Sequence, residues 1–227
     1  MNLKDFLFLF KKTEEEEFAY NLLLSINNEN GYNDIKERCY KKILKSSEWS
    51  FYLRKNVKDL PDHIKRMAEE KCLERPGWAY NLRKEVKDIP EHIKRRAELK
   101  CFEDPYWVYN LRRDVKDLSE EMKRRTEKKA CEDPYWAFHL RREVKDISLH
   151  VKKLAESKCL EDPCWAYNLR IDIKDLSEDT KRKAEEKCLE DPKWTYNLRK
   201  YRKYIEGLSF EIKILEEKKT SEYKNYN

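Results

Sequence analysis

The stretch Asp104-Pro105-Tyr106-Trp107-Val108-Tyr109-Asn110-Leu111-Arg112-Arg113-Asp114-Val115-Lys116-Asp117-Leu118-Ser119 decides the fold, because versions of it recur along the chain. Its tryptophan has counterparts at Trp49, Trp78, Trp136, Trp165 and Trp194, and neighbouring members of the series stand 29 residues apart. A spacing this regular is an internal repeat, and it takes precedence over local secondary-structure assignment. An earlier copy begins at Phe18. Phe18-Ala19-Tyr20-Asn21-Leu22 matches Trp78-Ala79-Tyr80-Asn81-Leu82 and lies 31 residues before Trp49, the two extra residues falling in the turn with Asn30-Gly31. The last copy also departs: aligning Leu208-Ser209 with Leu176-Ser177 needs three additional residues within 201–207.

Each copy predicts two short helices. Asp-Pro at 104–105, 133–134, 162–163 and 191–192 is a helix start, with aspartate capping free N–H groups and proline suited to the first helical position. From Trp107 the apolar residues Leu111, Val115 and Leu118 lie within about 80° of one another on a helical wheel, so one helix is expected to run to about Lys116-Asp117. Ser119, Ser148 and Ser177, or Pro61 and Pro90 in the same place, open the second helix, with Asp117, Leu118 and Ser119 all open as the cap. That helix carries Ile93, Ala97 and Cys101, and the equivalent sets Ile64, Ala68, Cys72 and Val151, Ala155, Cys159. Two helices of about three turns cannot bury their own apolar faces, whereas stacked neighbours can. The expected fold is therefore all-α, a right-handed α-solenoid of about seven 29-residue helix-turn-helix repeats starting near 18, 47, 76, 105, 134, 163 and 192. One solenoid domain is expected over 18–217, with a capping helix over 1–17 and a polar tail over 218–227. Ile212, Ile214 and Leu215 are expected to close the stack, and the Phe6–Phe10 end to cap it or to form a dimer contact.

Composition agrees. Charged residues make up 42% of the chain, yet 51 Lys and Arg nearly balance 45 Asp and Glu, and six Trp, fourteen Tyr and eight Phe argue against disorder. Three glycines leave no room for glycine-rich phosphate loops or dinucleotide fingerprints. No apolar run approaches the roughly 20 residues of a membrane span, and Phe6–Phe10 is too short for a secretory core. The seven cysteines form no CxxC pair, and Ala130 takes the place of Cys72, Cys101, Cys159 and Cys188 in one copy. Small core residues in a reducing cytoplasm are expected from this, without metal or cofactor. His63, His92 and His150 alternate with Glu121 and Asp179 at one repeat position, which reads as surface. Without a nucleophile-base constellation, no enzyme is expected, and no small-molecule substrate or membrane partner.

The remaining pattern is a ladder. Tyr80, Tyr109, Phe138, Tyr167 and Tyr196 follow each tryptophan by two residues, about 200° around the helix, beside Arg83, Lys84 and Lys87 or their counterparts. Two readings are open. The aromatics and cations form an outward face for a protein, a ribonucleoprotein, RNA or single-stranded DNA, or each aromatic packs on the next copy beneath a solvated face. On the first, the contact residues are Tyr80, Arg83, Lys87, Tyr109, Arg112, Lys116, Phe138, Arg141, Lys145, Tyr167 and Arg170. Glu85, Asp88, Asp114 and Asp117 sit among the same cations, and the isoelectric point is only about 8.7. That weakens a nucleic-acid role and suggests pairing between layers, Lys87 and Asp88 against Lys116 and Asp117.

The unit Asp162–Asp175, of the form Asp-Pro-x-Trp-Ala-Tyr-Asn-Leu-Arg-x-x-Val/Ile-Lys-Asp, resembles tandem two-helix repeats of bacterial and phage proteins. The likeness extends over about 18–217, although Asp-Leu-Ser or Asp-Ile-Pro stands where those repeats turn on Gly-Ala-Asp. It implies a two-helix solenoid and transfers no active residues. By analogy with small phage-encoded proteins it suggests an inhibitor of host defence nucleases, of the anti-CRISPR kind. The expected function is a non-catalytic, monomeric repeat protein that occludes or scaffolds a protein or ribonucleoprotein partner, with direct RNA or single-stranded DNA binding as the alternative.

Overall fold

Each Asp-Pro pair begins a helix in the computed structural model, which describes residues 15–27 and 31–201. The Asp133 carboxylate accepts hydrogen bonds from the Tyr135 N–H (2.9 Å) and the Trp136 N–H (3.3 Å), satisfying donors that no helical carbonyl can reach. Asp162 accepts from Cys164 and Trp165 in the same way. At the second helix the cap is the serine. Ser119, Ser148 and Ser177 accept from the N–H three residues on, at 3.1–3.2 Å.

Thirteen helices of 10 or 11 residues, and no strand, occur among the described residues. The first helices of the copies are α1 (Glu16–Ile26), α3 (Ser47–Asn56), α5 (Pro76–Glu85), α7 (Pro105–Asp114), α9 (Pro134–Glu143), α11 (Pro163–Asp172) and α13 (Pro192–Tyr201). The second helices are α2 (Asn33–Ile43), α4 (Asp62–Cys72), α6 (Glu91–Cys101), α8 (Glu120–Ala130), α10 (Leu149–Cys159) and α12 (Glu178–Cys188). This is the helical-repeat solenoid that the 29-residue spacing predicts. Of the expected cap over 1–17, residues 1–14 lie outside the described residues, while Glu16 and Glu17 already belong to α1. The insertion beyond 201, the closing residues Ile212, Ile214 and Leu215, and the tail lie outside them as well. Gly31, in the longer first turn, takes a φ of 92°, a left-handed conformation that glycine adopts without steric cost.

The first helices end earlier than expected. Helix α7 stops at Asp114 rather than near Lys116-Asp117, and its counterparts stop one residue before Val57, Val86, Val144 and Ile173. These β-branched residues take extended backbone, φ −97 to −101° and ψ 107–109°, while each N–H closes the last helical bond to the leucine four residues back. Val115 and Leu118 therefore enter the core from the link between helices, and both are buried.

The chain forms two compact units, Met1–Trp107 and Val108–Asn227. In the first, α1 packs on α2, α3 on α4 and α5 on α6, with α1 also against α3 and α3 against α5. In the second, α9 packs on α10 and α11 on α12, with α9 against α11 and α11 against α13. Leu53 and Leu82 in one unit, and Leu140 and Leu169 in the other, are fully buried against Ala68, Cys72 and Ala97, or Ala155 and Cys159. Cys72, Cys101, Cys159 and Cys188 are completely enclosed, and so is Ala130 at the same position. Each of these thiols points at a carbonyl 25 residues earlier, as Cys159 Sγ does at Pro134 O (3.7 Å).

The tryptophans are half-buried rather than central, and lie along the junctions between copies. Gly77 shows how tight one junction is: a Cβ there would stand 2.7 Å from the Trp107 ring. Ser50 is the misfit in the core. It occupies the place of Ala79, Ala137 and Ala166, and its buried hydroxyl has no hydrogen-bond partner. Ser50→Ala is expected to raise stability by about 1 kcal/mol in chemical denaturation, since an unsatisfied buried hydroxyl is removed and helix propensity improves. An unchanged or lower midpoint would contradict that reading of the core.

Candidate functional site

Arg112 was expected on an outward face, and the structure places it inside. Its side chain is 2% exposed, with Nε donating to Glu127 Oε1 at 2.7 Å and Nη2 donating to Asp146 Oδ1 at 3.0 Å. The arrangement repeats. Arg54 bonds Glu69 (2.7 Å) and Asp88 (2.9 Å), and Arg141 bonds Glu156 (2.7 Å) and Asp175 (2.7 Å). Arg83 bonds Glu98 at 2.7 Å, and Arg170 bonds Glu185 at 2.6 Å. The first partner lies on the second helix of the same copy, and for Arg54, Arg112 and Arg141 the second lies in the link of the following copy. A planar guanidinium donates to both at once, which a lysine could not do with the same geometry. The arginines are buried because the fork satisfies them there, and Arg83, Arg112, Arg141 and Arg170 are thus structural members of the stack.

Layer pairing is real, but arginine supplies the cation where lysine was expected. Asp88 is taken by Arg54, while Lys87, Lys116 and Lys145 are exposed on the links. Lys116 donates to the Arg113 carbonyl at 2.8 Å. The outer aspartates remain partly in solvent, Asp146 being 61% exposed. Burial alone would raise Asp146, but the Arg112 hydrogen bond and charge outweigh it and hold its carboxyl below the usual range. At Asp175 the Arg141 hydrogen bond is the largest influence, with the same direction.

Four of the five aromatics are also covered, and Tyr196, 63% exposed, is the exception. Tyr80, Tyr109 and Phe138 are buried and Tyr167 is half-buried, each against the tryptophan of the next copy. Tyr80–Trp107, Tyr109–Trp136, Phe138–Trp165 and Tyr167–Trp194 have ring centroids 5.1–5.5 Å apart and interplanar angles of 30–38°. Tyr20–Trp49 and Phe51–Trp78 match them. A cation four residues on covers the other side: Lys84 stands 5.3 Å from the Tyr80 ring, Arg113 5.2 Å from Tyr109 and Arg142 5.0 Å from Phe138. Of the two open readings of the ladder, packing on the next copy describes these rings. Their faces are occupied, so bases cannot stack on them without displacing protein.

A feature that sequence reasoning passed over surrounds His139, which replaces the asparagine of other copies. Tyr109 Oη donates to Glu143 Oε2 (2.5 Å), His139 Nδ1 lies 3.1 Å from Glu143 Oε1, and Arg142 Nη2 donates to Glu143 Oε1 (2.8 Å). Burial would raise Glu143, but hydrogen bonds from Tyr109, Arg142 and His139 prevail and hold its pKa at about 2. Burial, and then the bond to Glu143, push the Tyr109 hydroxyl to about 12. Every polar group in this cluster is thus engaged with another, as a fixed ion network. The only sequence signal for it is the single histidine in an asparagine column.

Burial pushes the thiols of Cys72, Cys101, Cys131, Cys159 and Cys188 to about 12, so they are neutral side chains of the core rather than nucleophiles. No group of three or more His, Cys, Asp or Glu residues arranged to hold a metal occurs among the described residues. None of the described helices is long and apolar enough to cross a membrane.

Exposed apolar side chains lie on both sets of helices, with Leu24, Tyr106, Tyr135, Ile171 and Tyr196 on the first and others on the outer side of the second. Met67, Leu99, Leu149 and Leu154 are exposed there among arginines and lysines. In the first unit an open groove of about 850 Å³ runs along α4, lined by Leu44, Met67 and Leu73 with charges of both signs, Arg66 and Arg96 beside Glu70 and Glu74. Comparison with family models, curated proteins and solved structures found no match.

Two outcomes follow from the ion networks. Arg112→Ala strands the buried Glu127 carboxylate and is expected to cost about 3–5 kcal/mol in denaturant unfolding, while Lys116→Ala changes stability little. Equal effects would mean that the fork carries no weight. Glu143, lowered from 4.5 to about 2, contributes stability that is complete above pH 4.5 and lost as pH falls toward 2. Glu143→Gln should flatten the acid limb of a stability-against-pH profile in that window, and an unchanged slope would refute the assignment.

Proposed function

We propose that this chain is a non-catalytic helical-repeat protein that binds a protein or ribonucleoprotein and acts by occluding or scaffolding it. One observation carries the reading. The repeated arginines and aromatics are spent on joining copies, whereas the second helices leave apolar side chains exposed among cations, the mixture of Met, Leu and Arg that suits protein contact. The contact face accordingly moves from Tyr80, Tyr109, Phe138 and Tyr167 with their arginines to the outer side of the second helices, α4 and α6 in the first unit and α8 and α10 in the second, each unit taken by itself. Repetition within each unit provides several moderate contacts, the usual way helical repeats cover a partner's working surface. Inhibition of a host defence nuclease, which the sequence resemblance suggests, is one form such occlusion takes.

Direct binding of RNA or single-stranded DNA is the weaker reading, because Tyr80, Tyr109, Phe138 and Tyr167 already pack on tryptophan and the first three also lie under a cation. Affinity capture with the tagged full chain, followed by mass spectrometry and nucleic-acid staining, separates the two. A protein retained after nuclease treatment is the expected result. Nucleic acid alone, with affinity falling steeply as salt rises, supports the other reading, and an empty eluate contradicts both.

A further inference from the structure

The copies serve as controls for one another, and by that measure the start of α10 is the outlier. Its first residue is Leu149, where Asp62, Glu91, Glu120 and Glu178 begin the equivalent helices. An acid at that place interacts favourably with the helix N-terminus, and a leucine forfeits this while standing 68% exposed. Leu154, 40% exposed, occupies the register of Arg96, Arg125 and Lys183, a place that Met67, 52% exposed, takes in the second copy. In the first unit that register supports an ion pair between second helices: Arg96 Nη2 donates to Glu70 Oε2 at 2.8 Å. In the second unit the corresponding positions are Leu154 and Lys128, so both members of the pair are replaced.

The change has a direction. Helix α10 carries no exposed carboxylate, its one acid, Glu156, being buried on Arg141. Lys153 lies between the two leucines on the exposed arc, and α8 contributes Arg124, Arg125 and Lys128, all exposed. Glu121 is the opposing charge on that side of α8, since Glu120 is held by Lys123 at 2.7 Å. Two apolar side chains thus sit in a cationic field, and at Leu149 the helix start forgoes the acid that begins α4, α6, α8 and α12. We propose that the outer face of α8 and α10 is a docking surface for an acidic, amphipathic helical segment of a partner protein, with Leu149 and Leu154 as apolar anchors and Arg124, Arg125, Lys128 and Lys153 as the complementary charge. Anchors plus opposite charge are what distinguish this occupant from nucleic acid, which has no use for an exposed leucine at a helix start. The proposal rests on the protein-binding reading above and specifies its face and partner chemistry.

The test uses the full chain and three labelled probes in fluorescence anisotropy: a designed Glu/Leu amphipathic helix, the same peptide with Leu replaced by Ser, and an oligouridine RNA. The Glu/Leu peptide is expected to bind best. Leu149→Glu with Leu154→Glu, both surface changes, should weaken it about tenfold or more, and Lys128→Glu with Lys153→Glu should weaken it and reduce its salt dependence. Unchanged melting by circular dichroism shows that each variant is folded. Equal peptide affinity in wild type and leucine variant, no binding of the peptide, or preference for RNA overturns the proposal. Affinity capture with the leucine variant separates the two levels. If it retains the same protein partners as wild type, this face is wrong and the protein-binding reading stands. If wild type captures none, the broader reading falls too.

Discussion

The fork made by Arg112 between Glu127 and Asp146, with its counterparts at Arg54 and Arg141, is the constraint on which the stack depends. One guanidinium joins the first helix of a copy to its own second helix and to the link of the following copy. Leucine, alanine and cysteine supply the favourable burial, but an apolar interface between short helices sets no register by itself. Placing a charge in that interface penalises any slipped arrangement, because a misplaced copy would leave an arginine or a glutamate buried and alone. In these repeats, a buried ion pair confers specificity of stacking as much as strength.

The aromatic pairs act on the same junction from the other side. Each tryptophan lies against the Tyr or Phe of the preceding copy, and at Phe51, Tyr80, Tyr109 and Phe138 a cation over that ring completes a layered contact of ring, ring and charge. Lys55, Arg113 and Arg142 also face Glu85, Glu143 and Asp172 of the next copy, so a second, more exposed set of charges runs beside the buried one. A chain with 42% charged residues thereby neutralises much of its own surface. Exposed pairs of this kind contribute little each, and their effect is on what the surface offers a partner.

Much of the fold could be read from spacing alone. The 29-residue interval of the tryptophans, Asp-Pro before each first helix and serine before the later second helices are local signals with local causes, and the structure uses each of them. The end of the first helix was misjudged because Val115 and Leu118 fit a helical stripe equally well from an extended link. Burial of the arginines was harder to see. Arginine reads as surface, and its partners lie 15 and 34 residues away, on other elements. A signal did exist. The residue after the second-helix alanine or threonine is Glu69, Glu98, Glu127, Glu156 or Glu185 in every copy from the second to the sixth, whereas the next position varies through Glu70, Leu99, Lys128, Ser157 and Glu186. Recent duplication preserves neighbours alike, so an invariant acid beside a varied one marks a structural requirement. The candidate surface is legible only once that set is removed, because what remains exposed is defined by what the fold consumes.

The most direct measurement of this account is a double-mutant cycle between Arg141 and Asp175, which face each other across adjacent copies at 2.7 Å. If the fork holds the layers in register, the two alanine substitutions are coupled by about 1 kcal/mol or more in equilibrium unfolding. Additivity within about 0.3 kcal/mol would mean that the arginines do not join the copies, and would return them to the surface as candidates for partner contact.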